Sequence, residues 1–150
     1  KVYPPYTTCE IYKPPWYPIY EFANDRKLAI LFHSGVEWQN HTRYLAKIAP
    51  DYPDAIFVAG HSGNVADERA DAIAGAQAHP NIYLETCSTF RTPGVIEQLV
   101  NEAGADRVLY GSDIPVMDPR AQIGKIITAE ISDKAKCQVL GGNASRLLGL

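Results

Sequence analysis

The sequence predicts an α/β fold in which parallel β-strands are flanked by outer helices. Short apolar runs such as residues 28–32 have strand length and no polar alternation, so they are expected to be buried on both faces of a sheet. Segments with helical periodicity separate these runs, and regular alternation of strand and helix is typical of a parallel sheet. The alternation fits either an open doubly wound sheet or a (β/α) barrel. A complete barrel takes about 250 residues, so the 150 residues of this chain would hold only part of one.

Each element is predicted from its apolar pattern and from the residues that stop it. Helices end where proline or glycine interrupts the periodicity, as at Pro50 and Gly104. Ser132 and Asn143 precede helical segments and are expected to act as N-caps. The expected strands are 1–3, 28–32, 56–59, 82–85 and 107–110; the expected helices are 19–27, 42–49, 65–78, one that follows Pro93 and Gly94 and reaches 102, then 119–128, 132–140 and 143–148; a proline-rich loop occupies 4–18.

Composition and charge narrow the choice of partners. The net charge is −3 and no basic stripe is present, so nucleic acid is not expected as a partner. The longest apolar stretches are strand-sized and fall far short of the ~20 residues that a membrane helix needs, so no membrane partner is expected. Three cysteines, interpreted as ordinary thiols, form no CxxC pair and favour a reducing compartment. We therefore expect a cytoplasmic protein with a small-molecule substrate; the sequence leaves the oligomeric state open, a homo-oligomer included.

Three apolar runs each end in a side chain that can bind a metal. The first runs into His33, the second into His61 and the third into Asp113. Parallel strands share one rim at their C-terminal ends, so these three groups can converge although they lie far apart in the sequence. Two histidines and a carboxylate at such a rim form a ligand set that suits a hydrolytic metal site.

Each of these residues also has a simpler interpretation. A lone histidine after a strand is usually a hydrogen-bonded turn residue, but the same His-Ser-Gly arrangement occurs twice, at His33 and at His61. Asp113 could cap the next segment, although Pro115 prevents a helix from starting immediately. The two other histidines, at positions 41 and 79, have no such context and are expected to be surface or capping residues.

The stretches around the three candidate ligands resemble the amidohydrolase superfamily. The nearest branch is the amidohydrolase-related group of predicted metal-dependent hydrolases, which also contains aromatic-acid decarboxylases. The resemblance spans essentially the whole chain, and its more specific parts are the Gly-Ser-Asp block and the closing Asn-Ala-x-Arg-Leu-Leu. The stretches that carry it are 1–4, 29–35, 58–63, 105–115 and 142–150.

The resemblance implies a (β/α)8 TIM barrel in which residues 1–150 form a single domain, the C-terminal part with about strands four to eight. Strand four would lie near residues 1–3, and strands five to eight would end at His33, His61, Glu85 and Asp113. The family also needs a His-x-His pair on its first strand, and this sequence has none. We therefore expect the N-terminal strands to be absent from this chain, which would leave an open barrel edge and an incomplete metal site.

By the same resemblance, His33, His61 and Asp113 are the expected metal ligands, with zinc as the default divalent ion. Asp113 and His61 are also the expected catalytic residues: Asp113 would shuttle protons, and His61 would bind a second metal or orient water and substrate. The predicted function is a metal-dependent hydrolase that cleaves a small-molecule amide, ester or lactone-like bond through a metal-activated water. The alternatives are a metal-dependent lyase that decarboxylates an aromatic or related acid, and a non-catalytic barrel fragment that acts through protein contacts.

A substrate pocket is expected beside this centre. Arg91 would pair with a substrate carboxylate, and Trp38 and Tyr3 would form aromatic walls suited to a ring-bearing acid. Trp16 in the proline-rich loop could belong to the same wall. The alternative interpretation is that the aromatic residues only cover the barrel mouth and that Arg91 faces solvent.

Overall fold

Four parallel strands in sequence order form the sheet of this protein, in a computed structural model that describes residues 1–62, 64–88 and 92–150. The strands are β1 (Ala29–His33), β2 (Ile56–Gly60), β3 (Ile82–Glu85) and β4 (Val108–Leu109). The α-helices are α1 (Tyr17–Arg26), α2 (Leu45–Ile48), α3 (Ala66–Ala78), α4 (Val95–Ala103), α5 (Pro119–Ile127), α6 (Asp133–Cys137) and α7 (Asn143–Leu148). The predicted α/β class with parallel strands is confirmed.

The register of the sheet brings the C-terminal ends of neighbouring strands side by side. His33 at the end of β1 pairs with Gly60 at the end of β2. Glu85 at the end of β3 pairs with Leu109 at the end of β4. The residues at and just beyond these ends therefore meet along one rim of the sheet, which is where barrels of this type carry functional side chains.

The expected first strand, residues 1–3, is reduced to a single bridging residue. Val2 pairs in parallel with Phe32. The Val2 N–H donates to the Leu31 carbonyl at 2.9 Å, and the Val2 carbonyl accepts from the His33 N–H at 3.0 Å. This segment lies along the edge of β1 that β2 leaves open, so it holds the position of a further parallel strand.

Two buried clusters cover the two faces of the sheet. The outer cluster, which also takes in the helices, includes Phe32, Phe57, Leu84 and Val108, and the inner cluster holds Val58, Tyr83 and Leu109. A fully buried side chain of this size contributes about 1.5–3 kcal/mol. Because side chains alternate along a strand, Glu85 shares the inner face with Tyr83. By the same rule His33 shares that face with Leu31, which packs against the inner cluster.

The proline-rich loop is tied to the outer core by its aromatic residues. Trp16 is largely buried in that core and lines a shallow cleft beside Cys9 and Ile19, not the cleft at His33 and His61. Tyr20 in α1 belongs to the same core, and its hydroxyl donates to the Ile11 carbonyl at 2.5 Å. Because Trp16 and Tyr20 pack in the outer core, they do not line the rim at the C-terminal ends of the strands.

The structure differs from the sequence prediction most clearly near the C-terminus. A π-helical turn, Gln138–Gly142, joins α6 to α7, so Asn143 lies inside a continuous helical stretch and is not an N-cap. Its side-chain amide donates instead to the carbonyls of Ala105 at 2.7 Å and Val108 at 2.8 Å. Ser132 does cap α6, because its side chain accepts a backbone N–H from the first turn.

Several helical segments are shorter than predicted. Where the sequence predicts one helix over residues 42–49, the four-residue α2 is flanked by the 3-10 turns Thr42–Tyr44 and Ala49–Asp51. Pro50 has no backbone N–H to donate, which ends the α-helical ladder there. Within the described residues, no helix has the length and apolar character that crossing a membrane requires.

Candidate metal centre

His33, which ends β1, and His61, which directly follows β2, lie side by side. His33 Nδ1 lies 2.9 Å from His61 Nε2, and the ring centroids are 4.6 Å apart. The strands are adjacent and parallel, with His33 level with Gly60, so the side chain one residue further along β2 reaches the same point of the rim. Two imidazole nitrogens at this spacing can be turned toward one ion with a small movement of either ring.

Asp113 lies in the same cleft as the two histidines. Its Oδ1 atom is 3.8 Å from the Nζ atom of Lys1. His61 has φ of 64° and Asp113 has φ of 55°, a left-handed conformation that residues other than glycine seldom adopt. Such backbone strain is concentrated at functional sites, and here it occurs at two of the three predicted ligands.

The cleft beside these residues has the size of a small-molecule site. Its volume is about 270 Å³, and it is walled by the ends of β1 and β2, by Ser88 after β3 and by Asp113 after β4. Ligand pockets commonly occupy about 300–1,000 Å³. The space next to the His33–His61 pair is therefore close to the lower end of that range and suits a small substrate.

A second group of potential ligands, which the sequence prediction did not include, lies on the other side of His61. Among the described residues, the one group of three or more histidine, cysteine or acidic side chains with ligand atoms within 4.8 Å of one another comprises His61, Glu85 and Cys87. The Cys87 Sγ atom is 2.8 Å from His61 Nδ1. Asp113 lines the neighbouring space but does not belong to this tighter group. One signal was available in the sequence: Glu85 ends the predicted strand 82–85, at the same rim as the two histidines.

The Glu85 carboxylate links the residues that follow β2 and β3. Its Oε2 atom accepts the His61 backbone N–H at 3.1 Å, and its Oε1 atom accepts the Cys87 backbone N–H at 2.6 Å. A Cβ atom on Gly111 would overlap this carboxylate, so glycine at position 111 leaves the room that the Glu85 side chain occupies. Gly111 is thus required by packing and not by its own backbone conformation.

Burial sets the protonation states around the site. Burial lowers the pKa of His33, His61 adds to the effect, and the nearby carboxylates of Glu37 and Asp113 oppose it. His33 is therefore neutral near pH 7, the form in which imidazole binds metals. Burial also raises the pKa of the Cys87 thiol well above its usual value, with a further contribution from Glu85.

A half-buried lysine, Lys125, lies near Glu85 and Cys87. The Nζ atom of Lys125 donates to the Thr86 carbonyl and to Gln122 Oε1, the latter at 2.7 Å. Burial lowers its pKa to about 8, while Glu85 and Cys87 act in the opposite direction. Lys125 thus adds a titratable amine near the two acidic groups.

His41 is not the isolated surface or capping residue that the sequence indicates. Its Nε2 atom is 2.7 Å from Glu68 Oε1, and the Glu68 side chain is only 3% exposed. The other Glu68 oxygen accepts the Thr42 N–H at 2.9 Å. Burial raises the pKa of Glu68, although the hydrogen bonds from Thr42 and the nearby His41 oppose this shift. These contacts fasten the loop after β1 to α3, and Glu68 lines the cleft.

The residues predicted to bind substrate differ in how close they lie to the two histidines. The Tyr3 ring stacks on His33, with centroids 4.3 Å apart and planes inclined by 29°. Trp38 is 54% exposed in the loop after β1, where Val36 and Glu37 line the cleft instead. Arg91 lies outside the described residues.

Comparison with known families identifies the relatives of this chain. A sequence model described as amidohydrolase matches residues 7–150. This chain belongs to the amidohydrolase family. The amidohydrolase resemblance of the strand ends is therefore confirmed over nearly the full length of the chain. No curated protein matches the sequence.

Solved structures share the fold of this amidohydrolase chain. An uncharacterized TIM-barrel protein from Bordetella bronchiseptica is 27% identical, with a TM-score of 0.80, over 96% of this chain and 53% of the other. A dihydroxybenzoic acid decarboxylase from Polaromonas, solved with manganese and the inhibitor 2-nitroresorcinol, is 18% identical, with a TM-score of 0.70, over 94% and 55%. The 4-oxalomesaconate hydratase of Rhodopseudomonas palustris is 21% identical, with a TM-score of 0.68, over 97% and 54%.

The fraction of each solved structure that this chain covers shows how much of the fold the chain contains. The chain spans slightly more than half the length of these three proteins. Its parallel strands and outer helices thus correspond to part of a TIM barrel, as the sequence predicts.

Proposed function

We propose that this chain carries the metal-binding rim of a metal-dependent hydrolase that cleaves an amide, ester or lactone-like bond in a small molecule. The observation that carries the proposal is the 2.9 Å approach of His33 Nδ1 to His61 Nε2, at a cleft that Asp113 also lines. Membership in the amidohydrolase family supports an enzymatic role.

The donor set fits a divalent metal. His33 and His61 would supply imidazole nitrogens, and Asp113 would supply a carboxylate oxygen, a combination that suits zinc. A divalent ion held there would lower the pKa of a coordinated water toward ~7 and polarise a substrate oxygen. A solved decarboxylase with the same fold contains manganese, so zinc and manganese are the first ions to test.

The protein side chains would have separate roles in the reaction. Asp113 would orient the attacking water, accept its proton and then pass that proton to the leaving group. In the role in which it orients water and substrate and does not bind the ion, His61 would donate a hydrogen bond from its ring N–H to the substrate oxygen as negative charge develops on it. The lowered pKa of His33 keeps its ring neutral and able to coordinate.

Decarboxylation of an aromatic or related acid is the second candidate. It is supported by the shared fold of a dihydroxybenzoic acid decarboxylase and by the stacking of Tyr3 on His33, which offers an aromatic surface beside that histidine. In this reaction the bond between the ring and the carboxyl group would break, carbon dioxide would leave, and Asp113 or His61 would deliver a proton to the ring carbon.

Activity and metal content test the proposal together. The complete natural polypeptide that contains this chain is loaded with zinc or manganese and assayed for hydrolysis of amides, esters and lactones, and for carbon dioxide release from hydroxybenzoic acids. We expect about one manganese ion per chain and a loss of at least about 100-fold in kcat/KM for His33→Ala and Asp113→Asn. His79→Ala, at the C-terminal end of α3, is the matched control and should keep both properties.

The outcomes separate the three functions. Hydrolysis without carbon dioxide release supports the hydrolase, and the reverse result supports the lyase. If the protein holds no stoichiometric manganese, and the His33 and Asp113 variants behave like the wild type, both enzymatic proposals are wrong and the chain acts as a non-catalytic barrel fragment.

A further inference from the structure

We propose that Cys87, Glu85 and His61 form a separate metal site that takes a thiophilic divalent cation, such as zinc or cadmium, through a cysteine sulfur ligand. This site shares His61 with the catalytic proposal but does not depend on which reaction the protein catalyses. It lies on the inner face of the sheet, between the ends of β2 and β3.

The spacing of the three side chains is close to that of one coordination sphere. Their ligand atoms all lie within 4.8 Å of one another. Two atoms bound to the same zinc ion lie at most about 4.6 Å apart, twice a Zn–S bond length, and about 3.5 Å apart in a tetrahedral arrangement. The hydrogen-bonded distance of 2.8 Å between His61 Nδ1 and Cys87 Sγ would therefore need to open by less than about 1 Å.

The two nitrogens of His61 face different partners, which separates this site from the His33 side. Nε2 approaches His33, whereas Nδ1 approaches Cys87. A second cleft of about 310 Å³ reaches the Cys87 side and is also lined by Glu85 and Gly111. An ion could therefore reach Cys87 without passing between the two histidine rings.

The donor chemistry indicates which ions would bind. A thiolate with an imidazole favours zinc, cadmium or cobalt over magnesium or calcium, which prefer oxygen ligands. The carboxylate of Glu85 and a Cys87 thiolate together would balance the charge of a divalent ion in this buried position. The backbone N–H groups of His61 and Cys87 already bond to the two Glu85 oxygens and would hold the carboxylate in place.

Cadmium titration tests the site directly. Cadmium bound to a thiolate absorbs in the ultraviolet by sulfur-to-metal charge transfer, so difference spectra report the ligand independently of any activity. We expect the wild type to develop this band and to saturate at one equivalent per chain. Cys87→Ser should abolish the band, and Glu85→Gln should weaken cadmium binding by at least about tenfold.

Variants of the other two cysteines identify which sulfur binds cadmium. Cys137→Ser, in the exposed part of α6, should keep the full band. The double variant Cys9→Ser/Cys137→Ser leaves Cys87 as the single thiol of the chain and should also keep it. This double variant answers the question even if Cys87→Ser fails to fold, which far-ultraviolet circular dichroism would reveal.

The cadmium titration can contradict this inference while leaving the proposed function unaffected. The inference is wrong if the band persists in folded Cys87→Ser, disappears in the double variant, or is missing from the wild type. His33→Ala should lose activity but keep the band, so failure of the catalytic centre and failure of the thiolate site have different signatures.

Discussion

Glu85 at the end of β3 holds the backbone of His61 at the end of β2, through a hydrogen bond of 3.1 Å from the His61 N–H to Glu85 Oε2. The two residues lie 24 positions apart in the chain, and only the parallel pairing of β2 with β3 brings them together. His61 has a left-handed backbone conformation, so this contact helps to fix a strained residue at the rim of the cleft.

Gly111 should be intolerant of a side chain because of this arrangement. A Cβ atom at position 111 would overlap the Glu85 carboxylate. We expect Gly111→Ala to lower the free energy of unfolding by about 1–3 kcal/mol, the usual cost of overpacking, measured by urea denaturation. Gly124→Ala is the control: its Cβ would meet nothing within 4 Å and it lies in α5, so a gain of about 0.5–1 kcal/mol is expected there. Equal effects at both positions would contradict the packing role of Gly111.

The His41–Glu68 pair should contribute to stability. Removing His41 leaves a buried carboxylate without the imidazole that lies 2.7 Å from it. We expect His41→Leu to destabilise the protein by about 1–3 kcal/mol. In a double-mutant cycle with Glu68→Gln, the two changes should couple by at least about 0.5 kcal/mol. Additive effects in chemical denaturation would show that the contact makes no net contribution.

Asn143 should be among the more sensitive polar residues of the chain. Its amide donates to two carbonyls, those of Ala105 and Val108, and the residue is buried. Asn143→Ala would leave both carbonyls without this donor, so we expect a loss of about 2–4 kcal/mol from two such groups. Asn101→Ala, at an exposed position of α4, should change the unfolding free energy by less than about 0.5 kcal/mol. A comparable small effect at Asn143 would mean that water replaces the amide without cost.

Lys125 should make stability depend on pH in the alkaline range. Burial lowers its pKa to about 8 in the folded protein, whereas an unfolded lysine has a pKa of about 10.4. Between these values the unfolded chain binds more protons at this residue, so the Lys125 contribution to stability rises with pH. Since the side chain is partly exposed, we expect about 1–2 kcal/mol after allowance for solvent screening.

The measurement compares urea unfolding at about pH 8 and about pH 10 for the wild type and Lys125→Met. Other groups also titrate in this range, but the difference between the two proteins isolates Lys125. The wild type should gain stability relative to the variant as the pH rises. Lys134→Met, at an exposed position of α6, should show no such difference. A pH-independent gap between wild type and Lys125→Met would contradict the lowered pKa.

The amino-acid sequence by itself determined the layout of the protein. Apolar runs without polar alternation located the strands, and the type of residue at their ends indicated a metal site at His33, His61 and Asp113. These features are local, because hydrophobic periodicity and the residue that follows a strand can be recognised within a few positions. The approach of His33 to His61 also followed from a general rule, since parallel strands end at a common rim.

Only the tertiary structure decided which additional groups meet at that rim. The Glu85 carboxylate, the Cys87 thiol and the His61 ring come together through strand register and side-chain direction, which leave no local mark on the sequence. Asn143 looks like a helix cap in the sequence, yet its partners lie 38 and 35 positions earlier in the chain. Hydrogen bonds and packing across such separations depend on how the elements are placed in space, and this placement is fixed by the folded chain as a whole.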